Sequence, residues 1–348
     1  MKNKQVGFTL IELMISLALG LIVVAAAILL FLTGQKSVAM QKGVAELQDN
    51  ANFGLNYITK DIRLTNLNVT EAAINDRIVY GGIVLTSVAS GFVDQATDAA
   101  TGVVTKYPNL PVTIVGLSDT LLTQNNGKTS AGSGNAWTGA SNVSDTGGTA
   151  QNSDQLVIQY LPQYTLDTAT DEYVSGFDCE GNELRFPKAS GLQMVIQRYF
   201  LRSDNNKASN ESSPLALACD AGYYPINTPT AIVNYGGAGE IIMKRVDYFR
   251  VLLGVQKTDP TTLIVTHQYL PISSYMALAS PRPRILSVQL GALVRSTQSV
   301  GGDAVVKADQ TFQVLDQEVK VKASSDPKYI RQVVSQTIAL RNALGERE

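Results

Sequence analysis

From Leu13 to Leu32 no side chain carries a charge, a run of about twenty residues. As a helix it rises roughly 30 Å, the thickness of bilayer hydrocarbon. A segment apolar all round must cross lipid or be wrapped in protein on every side. Lys2 and Lys4 precede the run and Lys36 and Lys42 follow it, so the charge asymmetry that holds the first residues on the cytoplasmic side is modest. Everything after about residue 33 is then expected on the far side. A secretory signal has a shorter apolar region, about 7–15 residues, and ends in small residues, a pattern that Ser37-Val38-Ala39 meets weakly. A permanent signal anchor is the other competitor. Neither accounts for Glu12, a carboxylate at the head of the run.

Glu12 stands three residues after Thr9, the spacing of a capping box, in which each side chain satisfies a free amide at a helix start. A carboxylate in the first turn also suits the helix dipole. The surrounding residues add a second reading. The short basic leader Met1-Lys-Asn-Lys-Gln-Val-Gly7, then Phe8-Thr-Leu-Ile-Glu12 and a membrane-length run, resembles the class III signal of type IV prepilins. That resemblance implies cleavage by prepilin peptidase between Gly7 and Phe8 and methylation of the new amine on Phe8. It also implies that Glu12 attracts the charged terminus of a neighbouring subunit inside the membrane. A charge buried in lipid costs a few kcal/mol, and an opposite charge offsets it. A cap in the single chain and a partner in an assembly are compatible roles.

No proline occurs before Pro108, so nothing forces an early break. Val44, Leu47, Ala51, Leu55, Ile58 and Ile62 recur at helical spacing, with Lys42, Glu46, Asp49, Lys60, Asp61 and Arg63 largely off that stripe. The pattern predicts one helix over 8–66, its membrane part about 8–32, with Gly20, Gly34 and Gly43 as weak points. Its outer half is expected to pack on a sheet. After it come β-prone runs: Ile78–Val88, Leu110–Val115, Gln155–Tyr160, Leu192–Leu201, Ile241–Gly254, Leu263–Tyr269, Arg284–Val294, Thr311–Val321 and Ile330–Leu340. No second long helical pattern alternates with them, which disfavours a parallel sheet. The expected fold class is α+β: a long N-terminal helix on a mainly antiparallel head spanning 67–348. Residues 123–153 are rich in Ser, Thr, Gly and Asn, with Trp137 their one aromatic, and are expected to be a mobile surface insertion.

Composition narrows function. Lys plus Arg number 28 against 30 acids, so no basic excess argues for nucleic acid as a partner. Two cysteines and one histidine leave little for metal or thiol chemistry: Cys179, Cys219 and the remote His267 do not supply a ligand set. In an exported domain the two cysteines are expected to bridge. Closing a loop of about 40 residues contributes about 4 kcal/mol in the chain-entropy model; buried free thiols are the alternative. No Gly-x-Ser-x-Gly elbow, phosphate loop or His-Glu-x-x-His signature occurs, so no enzyme and no cofactor is expected.

More of the chain carries a narrower likeness. Ala45-Glu-Leu-Gln-Asp-Asn50, Phe53 and Tyr57-Ile-Thr-Lys-Asp-Ile-Arg63 look like the outer helix of the PilW family of minor pilins. Asp178-Cys179, Arg198-Tyr199-Phe200, Leu217-Ala-Cys219 and Ile241–Gly254 resemble that family's central region. Val288–Arg295 and Thr337-Ile-Ala-Leu-Arg-Asn342 resemble its last strands. The resemblance implies a type IV pilin-like minor pilin with a single inner-membrane pass and a periplasmic head. Its partners would be inner-membrane lipid, other minor pilins, the major pilin and the assembly platform, and its place the pilus tip, where it would help prime polymerisation. Two rivals remain at this level. One is a tip adhesin using Trp137, Tyr223 or Tyr224, and the other a pseudopilin of type II secretion.

Overall fold

The computed structural model describes residues 7–127, 131–209, 211–259, 261–297, 299, 310–322 and 329–344, so of the expected leader only Gly7 is included. The first element, α1 (Leu10–Ile62), is one helix of 53 residues, about 80 Å long. It is shorter than the 8–66 expected at both ends. Thr9 is its cap, and beyond Ile62 the chain passes through turns to Asn66 and Asn68, at φ 64° and 55°, a left-handed conformation that cannot continue the helix.

Strands are numbered in chain order. β1 (Asp94–Thr97) and β2 (Val104–Tyr107) form a hairpin, and β3 (Val143–Asp145) joins a later one made by β14 (Thr311–Val314) and β15 (Gln317–Val321). A first four-stranded sheet contains β4 (Leu156–Tyr160), β8 (Gln193–Ser203), β9 (Leu215–Pro225) and β10 (Glu240–Lys244), in the order β10-β9-β8-β4. Beside it β5 (Thr165–Asp167), β6 (Glu172–Phe177) and β7 (Glu183–Pro187) make a three-stranded satellite. A second four-stranded sheet contains β11 (Val246–Thr258), β12 (Val265–Pro271), β13 (Arg284–Arg295) and β16 (Arg331–Ala339), ordered β12-β11-β13-β16, with a short helix α2 (Ile272–Met276) after β12. Every strand pairing among the described residues is antiparallel. The molecule is α+β, a long apolar N-terminal helix with antiparallel sheets.

The main core lies between α1 and both large sheets. Leu47, Ala51, Leu55, Ile58 and Ile62 meet Leu217, Met243, Phe249, Leu290 and Ile338 there. Gly54 makes the approach close: a Cβ at this position would lie 2.6 Å from the end of Met243 on β10.

Several expected strands differ. Ile241–Gly254 is two strands in two sheets, because Arg245 stands between them at φ 57°. Thr311–Val321 is a hairpin that turns at Leu315, φ 55°. Ile78–Val88 and Leu110–Val115 are not strands. Beyond an isolated bridge from Ile83 to Ile158, much of this backbone bonds to side chains, with the Asn109 side-chain oxygen accepting from the amides of Leu85 (2.9 Å) and Thr86 (3.2 Å).

Residues 131–153 are anchored to the head, which corrects the expected mobile surface insertion 123–153 over that part. Trp137 is only 3% exposed, and its indole donates to the Ser153 carbonyl at 2.8 Å. The Asn135 carbonyl accepts from buried Arg198 at 2.7 Å, and the Asn142 amide donates to Asp247 Oδ1 at 2.9 Å. β3 then pairs with β15. Counting apolar area missed these buried polar anchors, each worth more inside the protein than at its surface.

Candidate functional site

The exposed half of α1 is the most distinctive surface of the molecule. Its start is self-capped: the Thr9 amide and hydroxyl donate to Glu12 Oε2 at 3.0 and 2.9 Å, and the Glu12 amide donates back to Thr9 Oγ1 at 3.4 Å. Oε1 makes none of these bonds. From Leu10 to Ala39 every residue is exposed, and Phe8 just ahead is 86% exposed. Two hydroxyls within the apolar run are satisfied by the helix itself, Ser16 donating to the Leu13 carbonyl (3.0 Å) and Thr33 to that of Leu29 (2.8 Å). Between Glu12 and Gln35 no polar side chain is left without a partner in the helix, the condition lipid imposes. α1 is long and apolar enough to cross a membrane.

The other half is fixed to the head. Of the stripe read from the sequence, Val44 is half-buried and the rest are buried, joined by Gly43, Gly54, Thr59 and Asp61. Asn50 closes the outer edge of β10, donating to the Lys244 carbonyl at 2.7 Å and accepting its amide at 3.1 Å. The Tyr57 hydroxyl donates to the Cys179 carbonyl at 3.1 Å. Cys179 and Cys219 form a buried disulfide that joins the turn after β6 to β9, with Cα atoms 6.1 Å apart.

Asp61, one step off the packed stripe, turns inward and is buried. Its carboxylate accepts the Tyr199 hydroxyl at 3.0 Å, and Tyr199 also reaches Gln197 Oε1 at 3.0 Å. Burial pushes the Asp61 carboxyl up to about 6, against the lowering effect of that hydrogen bond. Glu180 beside the disulfide rises to about 7 through burial and the nearby Asp220, Asp178 and Glu240. Helical periodicity cannot show that an acid one step from the stripe finds a hydroxyl under the helix.

Sequence reasoning also missed the buried ion pairs of the head. Arg198 meets Asp220 at 2.9 Å, and Glu211 lies between Arg245 (2.7 Å) and Arg295 (2.6 Å). Asp247 holds Arg331 at 2.7 Å, Asp316 holds Arg250 at 2.7 Å, and Asp76 pairs with Arg282. Each is paired and hydrogen-bonded, as a charge out of water must be. Among the described residues no cluster of three or more His, Cys, Asp or Glu is arranged to hold a metal. His267 is on a strand, as expected, but exposed. Tyr224 is buried, donating to Gln159 Oε1 at 2.6 Å, and Trp137 is buried too, so neither offers a ring to a ligand. Tyr223 is half-buried against Phe186.

Comparison with known proteins bears on both halves. A family profile described as type IV pilus-assembly protein W matches residues 199–342, from the middle of β8 to the end of the second sheet. A second, the prokaryotic N-terminal methylation motif, matches residues 2–28. No curated protein sequence matches the chain. Among solved structures a type IV-like pilin from Thermus thermophilus is similar at 13% identity over 55% of this chain and 80% of that one, with a TM-score of 0.25.

Proposed function

The chain belongs to the family of type IV pilus-assembly protein W, minor pilins anchored in the membrane by the N-terminal helix, and from that premise we propose that it helps to initiate assembly of the pilus. In this reading prepilin peptidase cuts between Gly7 and Phe8 and methylates the Phe8 amine. α1 then crosses the inner membrane once, with the head in the periplasm. Its bare face packs against the helices of other minor pilins and of the major pilin at the assembly platform, and Glu12 receives the charged amine of a neighbour. A wide β head above a narrow helix limits what can stack beyond it, which suits a subunit at the pilus tip. The role is structural: no side chain is assigned to catalysis, no cofactor is needed, and direct contact with nucleic acid is not part of it.

The observation that carries this reading is the run from Leu10 to Ala39, apolar over most of its length and exposed throughout, which the other described residues leave uncovered. Intact-mass and N-terminal analysis of the protein from its own membranes tests it. A chain beginning at N-methylated Phe8 is expected. A start at Met40, as in an ordinary secreted protein, or an unprocessed Met1, as in a fixed anchor, overturns it. The substitution Glu12→Ala is expected to lower surface piliation at least about tenfold, the effect of losing one offset charge in lipid, while unfolding of the head is unchanged.

A further inference from the structure

The two large sheets have four outer edges, and three of them lie against other parts of the chain. Asn50 of α1 occupies the backbone groups of Lys244 on β10. Along β4 the Val84 amide donates to the Val157 carbonyl at 3.0 Å and the Gln159 amide to that of Gly82 at 2.8 Å. β16 packs beside α1. β12 differs: among the described residues it pairs only with β11, through an unbroken seven-residue register. Val265–Tyr269 is exposed on both faces.

A free edge presents a row of unpaired amides and carbonyls and is ordinarily guarded by a charge, a proline or a bulge. Val265-Thr-His-Gln-Tyr-Leu270 has none of these before Pro271. The ribbon also projects. β13 first pairs with β11 at Arg284 opposite Gln256, so Lys257 and Thr258 pair only with Thr266 and Val265, two strands wide. Two strands alone are marginal in water. At its end Leu263, 74% exposed, and Ile264 lead into Val265, an apolar β-prone run facing solvent.

We infer that the outer edge of β12 is a docking edge for an extended, uncharged segment of another pilus subunit, which adds to the second sheet as a fifth strand. Backbone hydrogen bonds supply the attachment, and alternate apolar side chains of the incoming strand meet Val265 and Tyr269. Charge selects the occupant. The edge bears no formal charge, and Lys257 and Asp259 near the tip offset each other. A charged segment would lose hydration there without gaining a partner. The identity of the occupant as a pilus subunit rests on the assembly role proposed above.

Hydrogen exchange on the full-length protein in detergent tests this, alone and in the complex it forms with the other minor pilins. Amides of 265–270 not bonded to β11 are expected to exchange rapidly in the single protein and at least about tenfold more slowly in the complex. Equal exchange within a formed complex overturns the docking edge and leaves the assembly role standing. The paired substitution Val265→Lys and His267→Glu guards the edge; it is expected to leave unfolding of the single protein unchanged and to lower the complex yield about tenfold. An unchanged yield overturns the inference. Failure of the wild-type protein to form any complex, with Glu12→Ala also without effect on piliation, overturns the assembly role and this inference with it.

Discussion

Between Leu10 and Ala39 the side chains of α1 all face outward, whereas from Gly43 to Ile62 nine of its residues are buried. One unbroken helix therefore passes from a length that hides nothing to a length that forms part of a core. The first half carries no charge from Leu13 to Gln35, so there any azimuth suits lipid or another helix. The second is striped, and its azimuth is fixed by Asn50, Gly54 and Tyr57. Burial is thus no guide to importance in this helix: the first half is built for contacts that a single chain does not make.

Substitution should separate the halves cleanly. Ile58 is fully buried against the sheets, and Ile58→Asp places an unpaired charge there. Loss of the cooperative thermal transition of the full-length protein in detergent is the expected result. Ile22→Ala in the bare half is expected to change stability by less than about 0.5 kcal/mol. A comparable loss from both would mean that the first half also packs on the head.

The disulfide comes next in size. Replacing Cys179 and Cys219 together by Ser is expected to cost about 4 kcal/mol in denaturant unfolding, without shortening α1 as seen by circular dichroism. A simultaneous loss of helix would show that the embedded half depends on the bridge through Tyr57.

Asp61 gives a smaller, pH-dependent effect. Its folded carboxyl sits near 6, above the unfolded value of about 3.9. The stability it contributes is thus fully present below about pH 4 and is lost as pH rises through about 6, on the order of 2 kcal/mol. The protein should therefore be more stable at pH 5 than at pH 8. Glu180 moves stability in the same direction. The difference between wild type and Asp61→Asn isolates Asp61, because the amide keeps an acceptor for Tyr199. Parallel pH curves for the two proteins would assign the dependence elsewhere.

Much of this architecture is legible in the chain because it is written in periodicity and local chemistry. Thr9 and Glu12 mark the helix start, the Leu47-to-Ile62 stripe marks its packed face, and β8, β13 and β16 lie where alternating apolar residues place them. What stayed hidden depends on distant partners. Arg245 breaks one apparent strand into two by a single left-handed residue. Trp137 and Asn142 order a Gly-rich segment through acceptors 16 and 105 residues away. β9 carries Leu215-Ala-Leu-Ala-Cys219, a run too poor in β-branched residues to read as a strand until β8 and β10 flank it. The candidate site was legible for a related reason: an interface used in lipid must announce itself by composition, while an edge such as β12 becomes visible only once its neighbours are known.

The cap at the head of α1 has a consequence for the order of events. It is made by Thr9 and Glu12 alone, and Gly7 touches nothing that a side chain there would meet. Under the proposed processing, a cut before Phe8 leaves every described bond of this cap in place, so folding and maturation would commute. The head could then acquire its shape before or after the cut, with the same helix end presented in either sequence. If the proposed processing holds, its timing would be set by encounter with the peptidase and not by the folding clock.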